Sequence, residues 1–242
     1  MLNILLKEVA SFFNSLVAYI VIIVFLTSIG LISWVFPQTS ILEYGFAAID
    51  PLFSTAPYVF MFLIPAITMR TFAEEYKAGT IELLLTRPLT DLQIILGKYF
   101  ASVLLVVLAL IPTLTYYYTV YTLGAPQGNI DTAAVIGSYI GLILLGAVFT
   151  SIGIFASSLT DNQIVAFIVA VFFCFCLYDG FSAIASINVW ADYSYYINQL
   201  GIDFHYSSVS RGLLDISNVT YFLSLITIMI FLTKLALESR KW

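Results

Sequence analysis

The sequence predicts an all-α integral membrane protein with six transmembrane helices, and three observations support that fold class. Apolar residues form 61% of the 242 residues and charged residues only 10%, against about 25% in a typical soluble domain. Six apolar runs are each about 18 to 25 residues long, which is enough to cross a hydrocarbon core of ~30 Å. Positive charges collect on alternate connections between these runs. We therefore expect one membrane domain over residues 1–242.

Residues 1–14 have the pattern of an amphipathic helix that lies along the membrane surface. Its apolar side chains are expected to face the bilayer and its charged side chains the water: Ile4, Leu5, Val9 and Phe12 on one side, Lys7 and Glu8 on the other. The apolar run that follows continues to Phe36, which is too long for a cleavable signal peptide. We expect that run to be retained as the first span.

The six spans are predicted at residues 15–36, 52–69, 99–123, 133–157, 164–187 and 219–237. Pro57 and Pro65 predict kinks in the second span, and Pro112 predicts one in the third. In the fourth span, Gly137 and Gly141 are spaced for close packing against another helix.

Two sequences of the form T-x-x-Q fit the capping box, in which the Thr and Gln side chains pair with backbone N–H groups at a helix start. They lie at Thr90–Gln93 and at Thr160–Gln163. They predict helices that begin directly after Thr90 and Thr160.

The connection at residues 70–98 carries eight of the 23 charged residues of the chain. Its first part suits a short amphipathic helix over Phe72 to Lys77, with Phe72 and Tyr76 on one face. Gly79 is expected to end that helix. By its local signals alone, the connection is either a solvated loop with capped turns or a surface that binds a partner.

A second short helix is expected in the same connection. Thr80 can cap its start, and Glu82 lies in its first turn, where a negative charge suits the helix dipole. Pro88 is expected to end it.

The distribution of positive charge predicts the orientation in the membrane. Six spans place both termini on the same side, and eight of the nine Lys and Arg residues fall on that side, with only Arg211 on the other. Cytoplasmic termini and a cytoplasmic connection 70–98 follow from the positive-inside rule. The eight residues are Lys7, Arg70, Lys77, Arg87, Lys98, Lys234, Arg240 and Lys241.

Motifs of catalysis are missing from the sequence. It has no G-x-x-x-x-G-K-[ST] nucleotide-binding loop, no H-E-x-x-H metal motif and no G-x-S-x-G nucleophile elbow, and His205 is its single histidine. We expect a non-catalytic chain with no catalytic residue, no metal site, no cofactor of its own and no nucleic-acid partner.

Few polar groups lie within the predicted spans. Asp179 is either a functional acid or the point where the fifth span ends and a re-entrant turn begins, since Gly180 follows it. Cys174 and Cys176 lie in an apolar run and are expected to be small buried or lipid-facing residues. The scarcity of charges near the midplane disfavours a channel or an ion-coupled transporter.

Residues 192–215, before the sixth span, are rich in tyrosine, which favours the interface between membrane and water. We expect short interfacial helices or a hairpin that dips into the outer leaflet. His205 is either an interfacial aromatic residue with local hydrogen bonds or a ligand-binding or proton-sensing group. Arg211 either pairs with Asp215 at i, i+4 on a helix or contacts lipid headgroups.

The run from Glu75 to Pro88 has the form E-x-x-x-G-T-x-E-x-L-L-x-x-P. It resembles the cytoplasmic coupling segment of ABC-2 type transporter permeases, which follows their second span. The resemblance implies a dimer of ABC ATPase subunits that binds ATP and Mg, and a second copy of the permease or a related one. It implies contacts to the ATPase through Phe72, Glu74, Glu75, Tyr76, Gly79, Thr80, Glu82, Leu83 and Pro88.

A second resemblance lies in the outer segment, where His205, Arg211, Gly212 and Asp215 match a pattern H-F, a few residues, then R-G-x-x-D. Tyr206 stands where that pattern has Phe. Permeases associated with gliding motility in Bacteroidetes-type bacteria and with nitrous oxide reductase maturation carry this pattern. The resemblance implies an exporter subunit in a bacterial inner membrane, linked to gliding motility. The alternative is a membrane anchor or assembly subunit that transports nothing.

Overall fold

A computed structural model describes residues 2–43, 45–81, 90–187 and 192–239 of the chain. Throughout these ranges the regular structure is helical, with no β-strand, and six helices are long and apolar enough to cross a membrane. The predicted fold class is therefore confirmed.

The described helices lie both within the spans and outside them. Those outside the spans are an N-terminal helix (Leu2–Phe13), a basal helix (Ala73–Lys77) and two outer helices (Ser194–Asn198 and Ile202–Val209). The six spans are Leu16–Val35, Asp50–Thr68, Asp91–Leu123, Thr132–Ser158, Gln163–Ala185 and Ile216–Ser239.

The fourth span is the centre of the bundle. It packs against the second, third, fifth and sixth spans, and its buried positions continue along most of its length. Its fully buried apolar side chains include Leu142, Leu145, Val148, Phe149 and Ile152. The first, fifth and sixth spans have few buried residues, so in a membrane their outer surfaces meet lipid or another subunit.

Because the spans alternate in direction, the bundle has two distinct ends. The basal end carries the N-terminal helix, the basal helix and the connection between the fourth and fifth spans. The distal end carries residues 36–43, 45–49 and 124–131 and the two outer helices.

The helix of the third span begins at Asp91, directly after Thr90 as the capping box predicts, and so starts before the predicted span at Tyr99. Gln93 N donates to Thr90 Oγ1 at 3.4 Å, and Thr90 N donates to Gln93 Oε1 at 3.3 Å. The second predicted capping box, at Thr160–Gln163, is absent, and that prediction is wrong. Asn162 caps the fifth span there, because its Oδ1 accepts from Ile164 N at 2.9 Å, while Thr160 Oγ1 accepts from Asn162 N.

Proline affects the two predicted spans differently. Pro112 lies in a 3₁₀ turn, Ile111–Thr113, which interrupts the third span as expected. The helix Asp50–Thr68 continues through both Pro57 and Pro65 without interruption, and the kinks expected at these residues stay a prediction.

The first and fifth spans each contain a π-helical turn, at Leu31–Val35 and Cys176–Gly180. The second of these includes Asp179, and the chain continues from it directly into the helix Phe181–Ala185. Of the two readings of Asp179, the one in which the fifth span ends there is therefore wrong, because a π turn accommodates the residue without ending the helix.

Candidate functional site

The start of the basal helix Ala73–Lys77 is hydrogen-bonded to a side chain of the fourth span. The N–H groups of Phe72 and Ala73 donate to Ser157 Oγ at 3.0 and 3.1 Å, and Ser157 Oγ donates to Met69 O at 3.0 Å. One buried hydroxyl thus satisfies three backbone groups at a helix start. The end of the fourth span and the start of the basal helix are held together as one unit.

Replacing Ser157 by Ala is expected to lower the free energy of unfolding by about 0.5–2 kcal/mol, the usual cost of a lost helix cap. Thermal unfolding in detergent, followed by tryptophan fluorescence, measures the change. Ser158→Ala is the matched control, because the Ser158 hydroxyl donates to Phe155 O within its own helix. Equal losses in the two variants would contradict a specific capping role for Ser157.

Lys98, in the third span, lies beneath the basal helix and is only 1% exposed. Its Nζ lies 2.9 Å from Glu75 Oε1 and 3.0 Å from Glu8 Oε1, and it donates to Thr71 O at 2.7 Å. These three acceptors match the three N–H groups of an ammonium. The same nitrogen lies over the ring of Phe72, 5.1 Å from the ring centroid. We call Lys98, Glu75 and Glu8 the basal ion cluster.

The basal ion cluster joins three elements: the N-terminal helix through Glu8, the basal helix through Glu75 and the third span through Lys98. Glu8 was expected to face water, and that expectation is wrong, because its carboxylate turns inward to neutralise Lys98. Burial of ions is costly unless each is paired and hydrogen-bonded. The geometry of the cluster therefore fixes the N-terminal helix against the basal helix.

Lys7 completes the charge balance from the water side. Its side chain is 61% exposed, and its Nζ lies 3.5 Å from Glu75 Oε1 and 3.7 Å from Glu8 Oε1. Two cations and two carboxylates thus sum to zero charge. Glu75 Oε2 is buried and has no hydrogen-bond partner within the described ranges, so this cluster keeps one unsatisfied acceptor.

A second ion pair lies on the outside of the basal helix. Arg70 donates to both carboxylate oxygens of Glu74, at 2.9 and 3.2 Å, with about half of the Glu74 side chain exposed. An exposed i, i+4 pair contributes only about 0.3–0.5 kcal/mol. Glu74 therefore contributes little to folding and remains accessible to a partner.

The water-facing surface of this region is short and continuous. It consists of Glu74 and Lys77 on the basal helix and the turn Ala78, Gly79 and Thr80, all of which are exposed. Gly79 has φ +66°, which ends the helix as predicted. Thr80 N donates back to Glu75 O at 3.0 Å, so the turn is tied to the helix. We call these five residues the basal surface.

The predicted contact residues of connection 70–98 fall into three groups. Glu74, Gly79 and Thr80 lie on the basal surface, and Tyr76 is half-buried. Phe72 is fully buried and Glu75 belongs to the basal ion cluster, so these two position the surface from within. Glu82, Leu83 and Pro88, and with them the second predicted short helix, lie outside the described residues.

Lys98, Glu8 and Ser157 are the residues that sequence reasoning missed. Lys98 carried a usable signal, because it falls on the helical face of Ile94, Ala101 and Leu105, all of which are buried. A charge on an apolar face predicts a buried partner. The sequence held no signal that the partner would be Glu8.

At the distal end, His205 joins the outer helix Ile202–Val209 to the sixth span. Its Nδ1 lies 2.8 Å from Asn218 Oδ1, and its Nε2 donates to Gln199 O at 3.0 Å. The imidazole also stacks on Tyr221, with ring centroids 3.9 Å apart. Both ring nitrogens have partners within the chain, which supports the structural reading of His205 over ligand binding.

The same outer helix is anchored to the second span. Burial raises the pKa of the Tyr206 hydroxyl well above its usual range, so it stays protonated and donates to Phe53 O at 2.7 Å. Tyr206, which stands where the H-F pattern has Phe, therefore adds a buried hydrogen bond.

Arg211 and Asp215 do not form the predicted helical pair. The outer helix ends at Val209, and Gly212 has φ +82°, so the two residues stand on opposite sides of a turn. Arg211 Nε donates to Ser207 O at 3.0 Å, and Asp215 Oδ1 accepts from Ser217 N at 3.3 Å. Gly212 packs on Gly137, where a Cβ would stand 2.6 Å from Gly212 O.

Within the described residues, no three His, Cys, Asp or Glu side chains are grouped so that they could hold a metal ion. Residues 39–240 match a protein family described as ABC-2 family transporter protein, and this match covers more than four fifths of the chain. It includes the second to sixth spans, the basal surface and the outer helices. No curated protein matches the chain.

Proposed function

The chain belongs to the ABC-2 family of transporter proteins, and from this premise we propose that it is the permease subunit of an exporter driven by a separate ATPase dimer. The basal surface is the contact site for the ATPase in this proposal. A second copy of the chain, or a related permease, completes the transport path. ATP and Mg are bound by the ATPase and not by this chain.

The observation that carries the proposal is the set of contacts that join the basal surface to the spans and to the N-terminal helix. A surface that receives a mechanical push must be rigidly joined to the elements that it moves. The basal helix is joined to the fourth span by Ser157 and to the third span and the N-terminal helix by Lys98. It also contacts the fifth span and is continuous with the second.

We infer the following sequence of events. ATP binding closes the ATPase dimer, which pushes the basal surface. The push moves the second and fifth spans directly, and it reaches the first span through the N-terminal helix, which packs against it. Tilting of these spans opens a path between the two permeases. This is a shift between two populations driven by a ligand of the partner.

A photo-crosslinking amino acid at Lys77 is expected to capture a soluble ATPase that contains a nucleotide-binding loop. The protein is expressed in its native membrane, illuminated and purified in mild detergent, and captured partners are identified by mass spectrometry. The matched control carries the same group at Gln127, which is exposed at the distal end. Capture from Gln127 and not from Lys77 would contradict the proposed orientation and contact site.

The second candidate function is a membrane anchor of a motility or maturation complex that transports nothing. It is supported by the resemblance of residues 205–215 to gliding-motility permeases, and we propose such machinery as a setting for either function. Purification without crosslinking separates the two. A stoichiometric ATPase supports the exporter, whereas a stable particle without an ATPase in several detergents favours the anchor.

A further inference from the structure

A cleft of about 260 Å³ opens at the distal end, between the starts of the second and fourth spans and the turn after the outer helix Ile202–Val209. Its charged lining consists of one cation, Arg211, and two anions, Asp50 and Asp131. Within the described part of the chain, neither carboxylate forms an ion pair with Arg211. Charges of both signs therefore border one small space without forming a direct ion pair across it.

Arg211 is held in place by backbone contacts. Its Nε donates to Ser207 O at 3.0 Å, and Ser138 Oγ donates to Ser210 O at 2.8 Å, which fixes the turn to the fourth span. A guanidinium has five N–H donors, and the Nε contact uses one of them. Among the residues that the structure describes, the terminal nitrogens have no hydrogen-bond partner, so they can bind the two oxygens of a phosphate or carboxylate in a fork.

The position of the cleft along the membrane normal indicates the source of its ligand. Asp50 is the first residue of the second span, and Asp131 caps the fourth span by accepting from Ala134 N at 3.0 Å. Both residues mark the level at which apolar helices leave the hydrocarbon core, and phospholipid headgroups lie at this level.

The charges select the chemistry of the ligand. The two carboxylates disfavour a simple anion, and a simple cation would leave the guanidinium without a partner, so a ligand that carries both charges fits best. We propose that this cleft binds the headgroup of a zwitterionic phospholipid, with the phosphate on Arg211 and a primary ammonium on Asp50 and Asp131. A primary ammonium donates hydrogen bonds to carboxylates, which a quaternary ammonium cannot do. Phosphatidylethanolamine is therefore the expected ligand class.

The test is lipid binding by the full chain, delipidated in detergent and measured by native mass spectrometry. The probes are phosphatidylethanolamine, phosphatidylcholine and phosphatidylglycerol with identical acyl chains. We expect phosphatidylethanolamine to bind about tenfold more tightly than the other two, which corresponds to one charge-assisted contact. The double variant Asp50→Asn with Asp131→Asn is expected to remove this preference, because the primary ammonium loses its acceptors. Arg211→Gln is expected to weaken the binding of all three lipids, because each of them carries the phosphate.

The variants are chosen to preserve the fold. Asn caps a helix as well as Asp does, so Asp131→Asn removes the charge and keeps the cap of the fourth span. Asp215→Asn is the matched control, because Asp215 is exposed at the distal end outside the cleft. It is expected to leave lipid preference unchanged, and circular dichroism checks that all variants are equally helical.

Three outcomes would overturn the proposal. Equal binding of the three lipids would show that the cleft does not discriminate between headgroups. An unchanged preference in the double Asp variant, or unchanged lipid affinity in Arg211→Gln, would place the lipid elsewhere. Binding of soluble O-phosphoethanolamine in preference to the lipid would assign the cleft to a soluble zwitterion instead. None of these outcomes depends on the ATPase contact, so the exporter proposal is tested separately.

Discussion

Replacing Lys98 by Met is expected to lower the free energy of unfolding by about 3–5 kcal/mol, the cost of breaking a buried ion pair by removing one partner. The change leaves two carboxylates, Glu8 and Glu75, in a buried site without their central cation. It also removes the donor to Thr71 O. The measurement is the midpoint of thermal unfolding in detergent, together with the yield of folded protein from membranes.

Two controls identify the cause of this loss. Lys234→Met removes an exposed cation that lies 3.5 Å from Glu238, and it should cost less than 1 kcal/mol. Adding Glu8→Gln and Glu75→Gln to Lys98→Met should restore most of the stability, because a neutral cluster carries no unpaired buried charge. A Lys98 variant as stable as the Lys234 variant, or no recovery in the triple variant, would refute the role given to the cluster.

Gly153→Ala is expected to destabilise the protein by about 1–3 kcal/mol, because it overpacks the contact between the second and fourth spans. A Cβ at this position would overlap Thr68 Oγ1 and stand 2.9 Å from Thr68 Cβ. Thr68 is fully buried, and its hydroxyl donates to Ile64 O at 2.9 Å, so it has little room to move. The same unfolding measurement applies.

Gly180→Ala is the matched control for Gly153→Ala. The nearest atom to a Cβ at Gly180 is Cys176 Cβ at 3.8 Å, an ordinary contact, so the substitution should be neutral or slightly stabilising. Adding Thr68→Ala to Gly153→Ala should recover part of the loss, since it removes the overlapping oxygen. If Gly153→Ala is as stable as Gly180→Ala, the spans are less tightly packed than described.

The spans were predictable because their signal is local. Each is an uninterrupted apolar run of membrane-spanning length, and the start at Thr90 depends on two side chains three residues apart. The failure at Thr160 has an equally local cause. Asn162 offers a competing cap one residue before Gln163, and Asn and Asp are stronger caps than Thr.

The basal site was only partly predictable, because its contacts join distant parts of the chain. The pattern of residues 72–79 predicts a short helix and its end, and both are present. Ser157 caps that helix from 84 residues away, and no local pattern could indicate this. The glycine pair Gly137 and Gly141 correctly predicted a close approach, but its partner is the turn around Val209 and Gly212 and not another span.

The basal ion cluster also has a consequence for biogenesis. Glu8 leaves the ribosome 90 residues before Lys98, the cation that it neutralises. Until the third span has been synthesised, Glu8 lacks this buried partner and is most stable in water at the membrane surface. Lys98 in turn settles into its buried position only when the N-terminal helix and the basal helix are both on its side of the bilayer. The cluster therefore closes only in a chain whose first three spans have inserted with the correct topology.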